Sequence, residues 1–119
     1  MTRILVVDDD PGIRRVMARA LTAEGFAVRT ARDGGEALAV LRVAPADVVL
    51  TDLNMPGLDG VELGAQLARE FAGTRLIVMS GSPHQGSGDP RLATAAAILT
   101  KPFSLSDLAE VVRRVLAAT

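Results

Sequence analysis

Five short apolar runs, none longer than six residues, punctuate this chain of 119 residues, and the stretches between them carry apolar positions at helical spacing. The runs are Arg3–Val7, Ala27–Ala31, residues 48–50 running on to Asp52, Arg75–Ser80 and Ala97–Thr100. They are too brief for helices and mostly rich in β-branched residues, so they predict strands. Behind Pro11, which suits a first helical turn, Ile13, Val16, Met17, Ala20 and Leu21 form one stripe that stops at Glu24-Gly25. Gly25 fits a left-handed C′ position. Asp33 and Glu36 resemble a capping box opening a helix to about Val43, closed by Ala44-Pro45. Asp59 and Glu62 repeat that spacing before Val61, Leu63, Leu67 and Phe71, with an end near Gly73. Asp89-Pro90 predicts a short helix over residues 91–96. Ser104 and Asp107 open a last helix whose stripe is Leu105, Leu108, Val111, Val112, Val115 and Leu116.

Five strands alternating with about five helices imply a parallel sheet covered on both faces, because each right-handed crossover lays its helix on a face. The expected fold is therefore α/β: a doubly wound, five-stranded parallel sheet in three layers, formed by residues 1–119 as a single domain. Burial of both faces accounts for strands that are continuous apolar runs. A chain of this length buries roughly two thirds of its unfolded surface and needs no staples.

Parallel topology brings every strand's C-terminal end to one edge, where open α/β sheets bind their ligands. Asp8, Asp9, Asp52, Ser80 and Lys101 should converge there. The turn Asn54-Met55-Pro56-Gly57 lifts the chain away after Asp52 and leaves its carboxylate on the rim. Packed carboxylates raise one another's pKa unless a cation compensates. With hard oxygen donors and no cysteine, the expected ion is Mg²⁺ or Mn²⁺, which uses few carboxylates and often holds a phosphate oxygen. A hydroxyl at Ser80 and an ammonium at Lys101 complete a site for a tetrahedral anion.

These motifs carry a resemblance over essentially the whole chain. Asp8-Asp9 after Ile-Leu-Val-Val, Asp52 in Thr-Asp-Leu-Asn-Met-Pro-Gly-Leu-Asp-Gly, Ser80 after Leu-Ile-Val-Met, and Lys101-Pro102-Phe103 match in order and spacing. The sequence resembles the receiver domain of two-component response regulators. The resemblance implies a flavodoxin-like strand order, 2-1-3-4-5, which the spacing alone does not supply. It implies that Asp52 accepts a phosphoryl group from the phosphohistidine of a sensor histidine kinase or a histidine phosphotransfer protein. The metal would be held by Asp9, Asp52, the Asn54 backbone carbonyl and, to some extent, Asp8. Lys101 would pair with the phosphoryl oxygens and Ser80 would swing in to one of them, switching a protein-interaction surface. Such a domain is no conventional enzyme but catalyses its own aspartyl phosphorylation and dephosphorylation. It also implies a cis Lys101-Pro102 bond. The alternatives left open are a phosphate sink or shuttle, and a receiver excised from a hybrid kinase or a longer regulator.

The sequence departs from the family pattern in two places. Ile98 stands where a Tyr or Phe is usual, three residues before the lysine, and residues 81–90 carry prolines and glycines where the fourth helix commonly begins. That segment is expected as a loop that phosphorylation orders over the site. Other phosphate chemistries fit poorly. Asp8-Asp9-Asp10-Pro11-Gly12 fails the haloacid dehalogenase pattern at Gly12, and Gly81-x4-Gly86 runs into Ser87-Gly88 where a phosphate loop needs Lys and a hydroxyl. His84 reads as solvated surface, and Met17, Met55 and Met79 as packing.

Thirteen basic against fourteen acidic residues give a net charge of −1, without Trp or Tyr to stack on bases. Arg14-Arg15 and Arg113-Arg114 are the only basic clusters, so no direct nucleic-acid contact is expected. The N-terminal apolar run ends at Asp8, and no stretch approaches the roughly 18 apolar residues of a membrane span, so no membrane insertion is expected. The absence of cysteine fits a reducing, cytoplasmic location.

Overall fold

The computed structural model describes residues 2–53, 60–80 and 95–118. Five strands, β1 (Arg3–Val7), β2 (Ala27–Ala31), β3 (Val48–Asp52), β4 (Arg75–Ser80) and β5 (Ala97–Thr100), pair in the order β2-β1-β3-β4-β5. Every pairing is parallel. The helices among the described residues are α1 (Pro11–Ala23), α2 (Gly34–Val43), α3 (Gly60–Glu70) and α4 (Leu105–Ala117). The doubly wound sheet and the strand order implied by the resemblance are both present. Among the described residues no helix is long and apolar enough to cross a membrane.

Side chains alternate across a strand, so each strand feeds two cores. Ile4, Val6, Val48, Leu50, Ile77, Met79 and Leu99 pack with Met17 and Leu21 of α1 and Leu108, Val111, Val112 and Val115 of α4. Leu5, Val7, Val49 and Val78 pack with Leu38 and Leu41 of α2 and Leu63 and Leu67 of α3. Each fully buried leucine contributes about 1.5–3 kcal/mol relative to exposure. β2 is an edge strand and only partly covered, which is why it accommodates Arg29 and Thr30. Arg29 donates to the Ala44 carbonyl at 2.6 Å, just past the end of α2, and at 3.4 Å to the Val40 carbonyl, which also accepts from Ala44 N–H, tying β2 to that helix end.

At the sheet's other end, away from Asp8 and Asp52, the strands are fastened to one another. Arg3 N–H donates to Asp47 Oδ2 at 2.8 Å, Asp47 N–H to the Arg3 carbonyl at 2.8 Å, and Thr74 Oγ1 to the Ala46 carbonyl at 2.6 Å.

Helix termini follow the expected chemistry with adjustments. Asp10 is the N-cap of α1, its Oδ1 accepting from Gly12 N–H at 2.8 Å and Ile13 N–H at 3.1 Å, with Pro11 behind it. Gly25 has φ 95°, the left-handed conformation expected after the helix. At α2, Asp33 Oδ1 accepts from Glu36 N–H at 2.7 Å, but Glu36 Oε1 reaches Arg32 N–H, one residue before the cap, so half the expected box forms. At α4 the Ser104/Asp107 box is complete. Asp59 lies outside the described residues.

One expectation is corrected, and a second is shortened at its C-terminal end. Ile13 and Val16 of α1 and Leu105 of α4 are 43%, 50% and 46% exposed, so the stripes of both helices run past the core. The cause is overhang: together with Met17, Pro102 and Phe103 they line an apolar groove of about 460 Å³ beside the rim. Of the short helix expected over residues 91–96, only Ala95 and Ala96 are described, and neither is helical. Ala96 N–H already donates to the Leu76 carbonyl at 2.7 Å, joining the sheet ladder instead.

Candidate functional site

The β1 ladder continues one residue past Val7, as Asp8 N–H donates to the Ala31 carbonyl at 3.1 Å. This draws Asp8 below the surface, where only 1% of it is exposed. Its Oδ1 accepts from Asp10 N–H at 2.9 Å, and its main-chain carbonyl accepts from Arg14 Nη1 at 2.8 Å. Its Oδ2 is buried and has no hydrogen-bond partner among the described residues. Burial pushes the Asp8 pKa above the usual carboxylate value; the Asp10 N–H opposes this, the Asp52 charge adds to it, Lys101 opposes it, and Asp9 adds to it.

Asp52 closes β3. Val7 pairs with Thr51, so Asp52 stands beside Asp8, and Leu53 N–H donating to the Met79 carbonyl at 2.9 Å secures the strand end. Lys101 Nζ donates to Asp52 Oδ2 at 2.6 Å, with the two side chains 33% and 15% exposed. Lys101 N–H in turn donates to the Ser80 carbonyl at 2.7 Å, and the Lys101-Pro102 bond is cis, as the resemblance implies.

The structure thus brings Asp8, Asp52 and Lys101 together, with Asp9 close enough for its charge to act on Asp8 although it is itself exposed. Ser80 ends β4 at the same rim but with the opposite strand parity. By strand alternation it continues Leu76 and Val78 toward α2 and α3, whereas Asp52 continues Val48 and Leu50 toward α1 and α4. Ser80 is fully buried. Asn54, with the carbonyl implied as a metal ligand, lies outside the described residues, as do Met55, His84 and the 81–90 segment. Met17 and Met79 are core residues, as expected, and Ile98 is 40% exposed.

The residues fit a hard divalent cation. A buried carboxylate oxygen without a partner, in a crevice where two further carboxylates raise its cost of ionisation, calls for positive charge beyond Lys101. Among the described residues no three acidic or histidine side chains form a ready-made cage. Mg²⁺ takes one or two carboxylates and fills its octahedron with waters and phosphate oxygens, so Asp8 and Asp52 side by side are donors of the kind it uses.

Sequence reasoning missed Arg14, read only as half of a basic pair. A signal was present: helical side chains tilt toward the N-terminus, so an arginine early in α1 reaches back to the end of β1.

The response regulator receiver domain family matches residues 4–113. The chain belongs to that family. The receiver domain is 39% identical over 110 residues to the transcriptional regulatory protein TcrA of Mycobacterium tuberculosis, a match covering 89% of this chain and 42% of that protein. It is 36% identical over 118 residues to the response regulator MprA of Mycolicibacterium vanbaalenii, covering 98% of this chain and 51% of that protein. The receiver domain therefore spans about half the length of these relatives or less. In structure it is similar to the response regulator TrrA of Thermotoga maritima, solved in complex with Mg²⁺-BeF, with TM-score 0.88, 33% identity and 97% and 99% of the two chains covered. It is also similar to a CheY-like receiver domain protein of Methanospirillum hungatei, with TM-score 0.91, 30% identity and 99% and 95% covered.

Proposed function

We propose that this receiver domain is a phosphoacceptor in which Asp52 takes a phosphoryl group from a histidine kinase. Receiver domains of two-component response regulators interact with such kinases. The observation that carries the reading is the Lys101 Nζ to Asp52 Oδ2 contact of 2.6 Å beside the unpartnered Oδ2 of Asp8. In the transfer, a carboxylate oxygen of Asp52 forms the new bond to phosphorus while the phosphorus–nitrogen bond of phosphohistidine breaks, the electron pair returning to the imidazole. Such a transition state needs positioning and charge neutralisation more than covalent help. Asp8, Asp9, Asp52 and the Asn54 carbonyl would hold Mg²⁺ or Mn²⁺, which supplies Lewis-acid stabilisation of the phosphoryl oxygens. Lys101 offers its ammonium to those oxygens once the phosphoryl group draws it from the carboxylate. By strand parity Ser80 belongs to the face opposite Asp52, so bringing its hydroxyl to the phosphoryl group calls for a movement of the β4 end, which is the switch of this proposal. That TrrA, similar over 97% of this chain, was solved in complex with Mg²⁺-BeF supports a divalent cation and a phosphoryl group at this rim.

Relatives named transcriptional regulatory proteins support an output that ends at DNA, a partner that the charge reading of these residues alone did not include. Incubation with acetyl phosphate and Mg²⁺ should add one base-labile phosphoryl group, read by intact mass. The same adduct on Asp52→Asn would place the chemistry elsewhere.

A further inference from the structure

We propose that Arg14 is a positioning residue for the cation crevice: its guanidinium clamps the Asp8 main chain and keeps the unpartnered oxygen of Asp8 aimed into the crevice. The inference rests on the phosphoacceptor reading above. Asp8 is fixed at three points: its N–H to the Ala31 carbonyl, its Oδ1 to Asp10 N–H, and its carbonyl to Arg14 Nη1. Only the last comes from a side chain. Asp8 is the first residue beyond β1, and the carbonyl's bond to Arg14 takes the place a further ladder bond would have filled. Without it the peptide plane between Asp8 and Asp9 could turn, and both carboxylates would turn with it.

Arg14 is half-buried at a rim carrying Asp8, Asp9, Asp10 and Asp52, yet among the described residues its guanidinium bonds this carbonyl and no carboxylate. Its other side opens on a groove of about 690 Å³ that it lines with Arg15, Arg19, Thr22 and Thr30. The guanidinium is thus placed to hold the backbone and leave the acidic oxygens to another cation. Groups that orient metal ligands in this way typically account for 10- to 100-fold in metal affinity.

The sign of the effect separates positioning from plain electrostatics. Removing a positive charge near a cation site strengthens cation binding by Coulomb's law. Loss of the clamp weakens it. Mn²⁺ binding to the full chain, measured by calorimetry with thermal unfolding of the metal-free protein alongside, is the test. Arg14→Met should weaken Mn²⁺ by about tenfold, Arg14→Lys by less because it retains a donor, and Arg15→Met should not weaken it. Wild-type or tighter binding by Arg14→Met overturns the proposal. Loss of folding in both Arg14 variants also overturns it, making Arg14 a residue of the fold. If wild type fails to bind Mn²⁺, or Asp8→Asn binds as well as wild type, the crevice assignment falls and the proposal with it. Normal wild-type binding with an unaffected Arg14→Met removes the proposal alone.

Discussion

Asp8 is held in place by its neighbours and at the same time denied a partner for one oxygen. A buried acceptor left unsatisfied costs on the order of 1–3 kcal/mol, and more if charged. Asp8→Asn keeps the Oδ1 acceptor for Asp10 and removes the charge, so it should stabilise the metal-free protein by about 1 kcal/mol in urea unfolding near neutral pH. Added Mg²⁺ should then narrow or reverse the difference, because only wild type regains the full carboxylate–cation interaction. Equal stability of the two proteins with and without Mg²⁺ would contradict this account. At this scale the sequence was readable wherever a candidate group ends a strand, since an apolar run that stops at Asp8, Asp52 or Ser80 gives both residue and location. It was not readable where a role depends on the path of another element. Arg14 matters because α1 crosses just over Asp8, and the side of the rim taken by Ser80 follows from strand parity combined with which helices cover which face.

Helices show the same division. Their starts were legible because the chemistry is local: Pro11 opens α1, and Asp33 and Ser104 cap α2 and α4, although the Asp10 cap of α1 went unread. Ser104→Ala removes the acceptor for Asp107 N–H and should cost about 1 kcal/mol in chemical denaturation. Unchanged stability would show that the box contributes nothing to α4. Helical stripes were less legible, because periodicity marks an apolar face without saying how far the sheet extends beneath it. Ile13, Val16 and Leu105 overhang the sheet for that reason. Contacts between helices were not legible at all. Arg42 of α2 pairs with Glu70 of α3 at 2.7 and 3.1 Å, and Gln66 donates to the same carboxylate. These bonds, Arg42's first, hold Glu70 down to about 2 against a usual 4.5. A depressed folded-state pKa adds stability that is fully present above the unfolded value and is lost as pH falls through the folded one. Between pH 4.5 and about 2, wild type should therefore lose slightly more stability than Glu70→Gln, a small effect because the pair is solvent-screened. Parallel acid-unfolding curves for the two proteins would exclude it.

For the whole molecule, alternation of strand and helix was enough to predict a parallel three-layer sheet, but the order β2-β1-β3-β4-β5 came from family likeness. Spacing cannot rank strands whose crossovers have similar lengths. The fold's response to a phosphoryl mimic follows from linkage. Mg²⁺ with beryllofluoride at a hundredfold excess over its dissociation constant should stabilise the native state by about 2.7 kcal/mol, raising the melting temperature by roughly 10 °C for a domain of this size. Asp52→Asn should show none of that increase, and an equal rise in both proteins would mean that the mimic binds elsewhere.

The sheet separating two cores also matters to anyone rebuilding this molecule. Asp8, Asp52 and Lys101 stand over the half packed by α1 and α4, and none of them over the half packed by α2 and α3. A combinatorial library drawn over Leu38, Leu41, Leu63 and Leu67 would therefore spread melting temperatures while leaving cation affinity where it was. A library over Met17, Leu99 and Leu108 would move both together, so the first half can be redesigned without disturbing the cation crevice, with Ser80 alone to be spared there, and the second only with the reaction in view.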